Sequence, residues 1–143
     1  MIFISHRGNI NGINSSENNP DYIRDTIGKG FDVEADIWFK NGQLFLGHDY
    51  PQHPIDINFL KNDKIWCHAK NLQALEAMLD KGVHCFWHQK DDFTLTSRGY
   101  IWTYPNKEVV KNSIIVCKDL EETLQYSSIN IAGICSDFIG AIK

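Results

Sequence analysis

The chain has 143 residues and a net charge of −4, with 43% hydrophobic and 22% charged residues. This length is enough for one domain with a buried core, and the composition is that of an ordinary soluble globular protein. The acidic balance argues against nucleic acid as the main partner, because binding a phosphate backbone needs a basic face. We therefore expect a single domain over residues 1–143 and no nucleic-acid partner.

The start of the chain and its cysteines indicate the compartment. The first residues read Met-Ile-Phe-Ile-Ser-His-Arg-Gly, without the basic leader and long apolar stretch of a signal peptide. No apolar run approaches the ~20 residues that a membrane helix needs. We expect a cytoplasmic protein with no membrane span. The four cysteines form no C-x-x-C pair, so we expect buried thiols and no structural zinc site at Cys67, Cys85, Cys117 and Cys135.

The first third of the chain predicts a strand, a helix and a β-hairpin. An apolar run over residues 2–5 ends at His6, and Asn19 caps a helix that ends at Gly28 or Gly30. Residues 31–39 then alternate with period two. One face of this strand carries the carboxylates of Glu34 and Asp36 together with Trp38. The other face carries the apolar side chains of Val33, Ala35 and Ile37.

A turn and a third parallel strand follow. Asn41-Gly42 is a hairpin signal, and the returning strand over residues 43–47 brings His48 beside the carboxylates. The next strand spans residues 65–70. Its polar face carries Trp66, His68 and Lys70. Asn71 then caps an amphipathic helix whose predicted apolar stripe is Leu72, Leu75, Met78 and Leu79.

The remaining elements are shorter. Residues 83–88 and 113–117 read as strands, and the strand-like stretch over residues 93–104 is broken at Arg98-Gly99. Asp119 and Glu122 form a capping box for a last helix, and residues 131–139 give the closing strand. Alternating strands and helices predict a parallel α/β sheet. A full eight-fold barrel needs at least ~200 residues, so we expect a compact, truncated TIM-barrel-like parallel barrel with reduced helices.

Three short motifs follow strands and carry the candidate chemistry. They are His6-Arg7-Gly8, Glu34-Ala35-Asp36 and His48-Asp49. Together they supply two imidazoles, two carboxylates and a guanidinium at the ends of neighbouring strands. These are the groups needed to hold a divalent cation, bind a phosphate and move protons.

The order of these motifs resembles the glycerophosphodiester phosphodiesterase family. That family belongs to the phosphatidylinositol-phospholipase-C-like barrels, which also include the spider sphingomyelinase D enzymes. Its pattern of His-Arg-Gly, Glu-Asn-Thr, Glu-x-Asp and His-Asp reads here as His6-Arg7-Gly8, Glu17-Asn18-Asn19, Glu34-Ala35-Asp36 and His48-Asp49. Later strands match loosely, at Trp102-Thr103 and at Gly133-Ile134-Cys135-Ser136-Asp137.

The resemblance implies a metal-dependent phosphoric diester hydrolase acting on a small-molecule phosphodiester, glycerophosphodiester-like or a sugar or lipid diester. His6 and His48 would be the general acid and base, and Glu34 and Asp36 would bind Mg²⁺ or Ca²⁺. The third carboxylate of the family is replaced by His68. An imidazole ligand favours Mn²⁺ or Zn²⁺, so His68 is either a third ligand or a phosphate contact.

The remaining roles are open on the sequence alone. The candidate substrate-binding residues are Arg7, Glu17, Lys70 and Trp102. Arg7 would either bind a phosphate oxygen or brace Glu17, Lys70 would neutralise phosphate charge, and Trp102 would pack on the substrate or in the core. The enzyme reading includes hydrolysis and attack by a substrate hydroxyl to give a cyclic phosphate.

Two other functions compete with a glycerophosphodiesterase. The first is a catalytically weak module that only binds a phosphate or phosphodiester, and the second is an enzyme acting on a sugar or nucleotide-sugar conjugate. A barrel that lacks helices would also expose apolar strand faces, which pairing into a homo-oligomer would cover.

Overall fold

The chain forms ten strands and four helices in a computed structural model that describes residues 1–143. The strands are β1 (Ile2–His6), β2 (Asp32–Lys40), β3 (Gln43–Leu46), β4 (His53–Ile55), β5 (Ile65–Ala69), β6 (Cys85–Trp87), β7 (Phe93–Leu95), β8 (Ile101–Thr103), β9 (Ser113–Cys117) and β10 (Gly133–Ser136). The helices are α1 (Pro20–Gly28), α2 (Ile57–Leu60), α3 (Leu72–Asp80) and α4 (Leu120–Tyr126), followed by a 3₁₀ turn at Ile139–Ile142. None of the helices has the length and apolar character needed to cross a bilayer.

All ten strands belong to one largely parallel sheet. Parallel pairing runs in the order β6-β5-β2-β1-β10-β9-β8, and β3, β4 and β7 add antiparallel pairs. No ladder joins β6 to β7, but the Ser97 amide donates to the Cys85 carbonyl at 2.9 Å. The Thr94 hydroxyl donates to the Trp87 carbonyl at 2.8 Å. The α/β class with a mainly parallel sheet is confirmed, whereas a closed TIM barrel is not.

Polar caps and one turn fix the local structure as the sequence predicts. Asn19 begins α1, Asn71 begins α3 and Asp119 begins α4, each with its side chain accepting from a first-turn amide. Asn41 and Gly42 both have positive φ, at 52° and 75°, which is the backbone that a two-residue hairpin between twisted strands requires. The starts of these three helices and the turn between β2 and β3 are therefore encoded locally.

Several predicted boundaries and faces are wrong. The α3 stripe is rotated, because Ala74 and Met78 are buried while Leu72 and Leu79 are more than half exposed. The closing strand is only Gly133–Ser136 instead of residues 131–139, since the chain turns into the 3₁₀ segment. The predicted strand over residues 83–88 shortens to Cys85–Trp87, and β4 and α2 have no counterpart among the predicted elements.

Apolar side chains pack on both faces of the sheet. One large cluster joins β2, β5, α1 and α3 around Val33, Cys67 and Met78, and a second lies under α4. A third cluster lies on the opposite face and takes one side chain from each of six strands: Ile4, Trp66, Phe86, Trp102, Ile114 and Cys135. All four cysteines are buried and free, as predicted.

Candidate metal and phosphate site

The candidate site lies directly above the third apolar cluster. Side chains alternate along a strand, so a residue two positions after a buried one lies on the same face. This spacing relates Ile4 to His6 and Trp66 to His68. The same offset relates Phe86 to His88. Because the strands are parallel, their carboxyl ends bring these polar groups to one edge of the sheet.

Glu34, Asp36 and His68 form a buried cluster at this edge. β2 and β5 pair Asp36 with His68 in register, and the carboxylates are 2% and 0% exposed. The candidate ligand atoms of the three side chains all lie within 4.8 Å of one another. Glu34 Oε2 and Asp36 Oδ1 are buried without a hydrogen-bond partner. Two carboxylates with unused oxygens and one imidazole make a donor set that fits a divalent cation, so this group could hold a metal ion.

The contacts of His68 determine which of its nitrogens faces the carboxylates. Its Nε2 lies 2.9 Å from the His88 carbonyl, which only accepts, so Nε2 carries a proton. Its Nδ1 lies 3.2 Å from Asp36 Oδ1 and 3.6 Å from Glu34 Oε1. Burial alone would lower the pKa of His68, but the two carboxylates outweigh it and raise that pKa to about 9. Without metal, His68 is therefore a cation that balances the acids.

Asp36 is held ionised by its surroundings. Burial alone would raise the pKa of Asp36, but the nearby His68 and the Arg7 guanidinium hold it well below its usual range. Asn18 adds two hydrogen bonds, since its amide donates to Asp36 Oδ2 at 2.9 Å and its Oδ1 accepts from the Asp36 amide at 3.0 Å. Asn18 adopts a positive φ of 58° to reach both atoms. Asp36 is thus available as an anionic ligand.

His6 is oriented by an aspartate at the end of β10. Its Nδ1 lies 3.0 Å from Asp137 Oδ1, and its Nε2 lies 3.8 Å from Glu34 Oε2. Burial alone would lower the pKa of His6, but Asp137 and Glu34 outweigh it, so the pKa lies above its usual value. Asn9 donates to Asp137 Oδ1 at 2.7 Å and fixes the carboxylate in turn. With Nδ1 held by Asp137, Nε2 of His6 is the nitrogen available for proton transfer.

Arg7 lies between the metal cluster and the loop over residues 14–19. Its Nε is 3.1 Å from Asp36 Oδ2, and its Nη1 donates to Glu17 Oε2 at 3.3 Å. Of the two expected roles, the bracing contact with Glu17 is present. Arg7 also lines the cavity beside this cluster. Glu17 lines only a neighbouring cavity and acts on Arg7 and Asn9.

Lys70 and His48 complete the polar wall from two different elements. Lys70 Nζ lies 3.7 Å from Asp36 Oδ1 and lines the cavity, in the position expected for a phosphate contact. His48 follows β3 and reaches the rim, where 41% of its side chain is exposed. Its Nδ1 lies 2.7 Å from Asp49 Oδ1, which leaves Nε2 free. Both catalytic candidates therefore have a carboxylate on Nδ1.

Aromatic side chains form the opposite wall of the cavity, whose volume is about 330 Å³. Trp102 is 5% exposed, and its ring stacks on that of Phe86 with ring centroids 4.5 Å apart. Trp102 therefore belongs to the core as well as to the cavity lining. Tyr104 is 38% exposed and stacks on His88 with ring centroids 4.7 Å apart. Burial lowers the pKa of His88. This wall offers packing surface to an organic group attached to a phosphate.

The structure unites every predicted site residue except Glu17 around this cavity or at its buried base. Sequence reasoning gave no role to Asp137, Asn9 or Asn18. Asp137 was visible as the last residue of the loosely matching Gly-Ile-Cys-Ser-Asp segment, and Asn18 as the middle of Glu-Asn-Asn. Nothing in the sequence pattern pointed to Asn9, because its partners Glu17 and Asp137 lie 8 and 128 positions further along the chain.

Comparison of the chain with protein-family models, with curated proteins and with solved structures finds no match in any of the three.

Proposed function

We propose that this protein is a metal-dependent phosphodiesterase that cleaves a small phosphodiester with two histidines as acid and base. One observation carries the proposal. A single cavity combines a buried acidic cluster with unused oxygens, two cationic side chains and two histidines that each have a carboxylate on Nδ1. In both histidines the carboxylate lies on Nδ1, which leaves Nε2 for proton transfer to and from oxygen.

The metal would be held by Glu34, Asp36 and His68. When bound, a divalent cation supplies positive charge that polarises the phosphoryl oxygens. Mg²⁺ and Ca²⁺ suit the two carboxylates, and the imidazole extends the range to Mn²⁺ and Zn²⁺. The side chains of Arg7 and Lys70 bind the non-bridging oxygens from the cavity wall.

The proton transfers are shared between His6 and His48. A neutral imidazole takes a proton from the attacking hydroxyl as the new P–O bond forms, and a protonated imidazole gives one to the leaving oxygen as the old P–O bond breaks. Asp137 and Asp49 hold the two rings through Nδ1 and stabilise their charged forms. The attacking hydroxyl comes from water or from the substrate, which would give a monoester or a cyclic phosphate.

Phosphorus NMR tests this directly. We would incubate the protein with glycerophosphodiesters and with sugar and lipid phosphodiesters in Mg²⁺, Ca²⁺, Mn²⁺ or Zn²⁺. The comparison includes His6→Ala, His48→Ala and the matched control His53→Ala, which lies outside the main cavity. A monoester or cyclic phosphate signal that disappears only in the first two variants supports the proposal. Turnover that survives in both of them contradicts it.

A phosphate-binding module is the second candidate, and the charge balance of the site favours it. Four acids and four bases lie within contact of one another when both histidines are protonated: Glu17, Glu34, Asp36 and Asp137, with His6, Arg7, His68 and Lys70. Each of the four acids therefore has at least one basic side chain within 4 Å without a metal. Binding of a phosphodiester without turnover in any metal would identify the module.

We also propose that the sheet forms a truncated barrel, with the site at the carboxyl ends of its strands, where barrel enzymes place their catalytic groups. The exposed apolar side chains Phe93 and Leu95 on β7 are consistent with a homo-oligomer. Light scattering at high concentration measures whether such an assembly forms.

A further inference from the structure

The orientation of His68 depends on a backbone carbonyl that lies outside the sheet ladder. β6 ends at Trp87, and the next carbonyl, that of His88, accepts from His68 Nε2 at 2.9 Å. A histidine can bind a metal through Nδ1 only if the ring is turned so that Nδ1 faces the carboxylates. This hydrogen bond sets that rotation, so the position of the His88 carbonyl matters for the site.

The His88 ring itself closes the turn that carries this carbonyl. Its Nε2 donates to the Asp91 carbonyl at 2.8 Å, three residues further along the chain. The ring is 8% exposed and lies flat on Tyr104, with 12° between the two planes. The backbone on either side of this turn is held by two further hydrogen bonds. The Thr94 hydroxyl donates to the Trp87 carbonyl, and the Tyr104 amide donates to the Asp92 carbonyl. Between these two hydrogen bonds, the ring fixes the backbone over residues 88–91.

We propose that His88 is a positioning residue for His68: its side chain locks the turn over residues 88–91, and the locked carbonyl holds the His68 ring with Nδ1 toward Glu34 and Asp36. This inference rests on the proposed function in one respect, that His68 serves as a metal ligand. His88 acts through His68 and is not one of the three residues whose candidate ligand atoms lie together, which are Glu34, Asp36 and His68.

Two substitutions separate the hydrogen bond from the packing of the ring. His88→Phe keeps a flat ring against Tyr104 but cannot donate to the Asp91 carbonyl. His88→Gln carries an amide that reaches the same carbonyl, so it is the conservative variant. Tyr104→Leu is the matched control, because it removes the stacking partner and leaves the His88 hydrogen bond in place.

Two readouts are used. Nitrogen-15-edited NMR of the metal-free protein follows the His68 Nε2–H signal and its protection from exchange, and calorimetry with Mn²⁺ alone follows metal affinity. In His88→Phe, we expect the protected signal to be lost and the Mn²⁺ affinity to fall about 10- to 100-fold. In His88→Gln and Tyr104→Leu, we expect the signal to persist and the affinity to stay within about threefold of the original, because the carbonyl keeps its place.

Each outcome decides the matter. A protected His68 signal or unchanged Mn²⁺ affinity in His88→Phe overturns the positioning role, as does an equal loss in all three variants. A further outcome is that the unsubstituted protein binds no Mn²⁺ while the protected His68 signal, present in that protein, is lost only in His88→Phe. The positioning role then stands and the metal-dependent function fails. The two hypotheses are therefore tested separately.

Discussion

His84 gives a pH dependence of stability whose size follows from its surroundings. Its side chain is buried, with the residue only 2% exposed, and its ring lies 4.3 Å from that of Trp66. Its Nε2 is 3.0 Å from the Thr96 hydroxyl, a contact that a neutral ring can make. Burial, with a smaller contribution from Arg98, lowers the pKa of His84 from 6.5 to about 4. His84 therefore binds a proton less readily in the folded protein than in the unfolded chain.

The sign and magnitude follow from linkage. Because the folded-state pKa lies below the unfolded one, the stability linked to neutral His84 is fully present above pH 6.5. It is lost as the pH falls from 6.5 toward 4. Between pH 8 and pH 5.5, the free energy of unfolding should fall by about 1.4 kcal/mol from this group alone, and the full loss below pH 4 is about 3 kcal/mol.

Urea denaturation at the two pH values measures this effect. Other groups titrate in the same range, so the quantity to compare is the pH-dependent change in the original protein against that in His84→Gln and His84→Phe. Both variants are uncharged at position 84 but differ in their bonding to Thr96, so their baselines differ. We expect both to lack the same ~1.4 kcal/mol of acid destabilisation. Equal pH dependence in all three proteins would refute the assigned pKa of His84.

Three further predictions concern the site. Mn²⁺ at about 100 times its Kd should stabilise the protein by about 2.7 kcal/mol, which corresponds to a rise in Tm on the order of 10 °C. Differential scanning calorimetry should show this rise for the original protein and not for Glu34→Gln. Asn18→Ala should lower the free energy of unfolding in urea by about 2–4 kcal/mol, because it leaves polar groups of Asp36 buried without partners. Gly47→Ala should reduce turnover at least ~10-fold and lower Tm, because the added Cβ would overlap a backbone carbonyl at a φ of 152° and displace His48.

Matched variants show whether these effects are specific. Glu76→Gln removes a charge from the exposed face of α3 and should keep the full rise in Tm with Mn²⁺. Asn18→Gly relieves the positive φ but also lacks the side chain, so stability similar to that of the original protein would contradict the hydrogen-bond explanation. Gly42→Ala has positive φ with open space around it and should leave turnover unchanged. Loss of turnover there would mean that any strain in the hairpin disturbs His48.

Much of the site could be predicted because its residues come in short, local motifs. Glu34 and Asp36 share a face through period two, His68 does so with Trp66, and His6 ends an apolar run that predicts a buried strand. The rotated face of α3 shows where this reasoning ends. Four apolar positions fit a helical stripe, but which side is buried depends on the sheet that the helix meets, and Ala74 fits closely there while Leu72 does not.

By itself, the sequence determined the caps of the helices, the Asn41-Gly42 turn, the parallel α/β class and the identity of the acidic, basic and imidazole groups at the strand ends. These features depend on neighbours a few residues apart, whose interactions are set by local geometry. Only the tertiary structure decided that Asp137 orients His6 and that the His88 carbonyl holds His68. Those contacts join residues 131 and 20 positions apart, and they exist only once the parallel strands have paired and brought their carboxyl ends together.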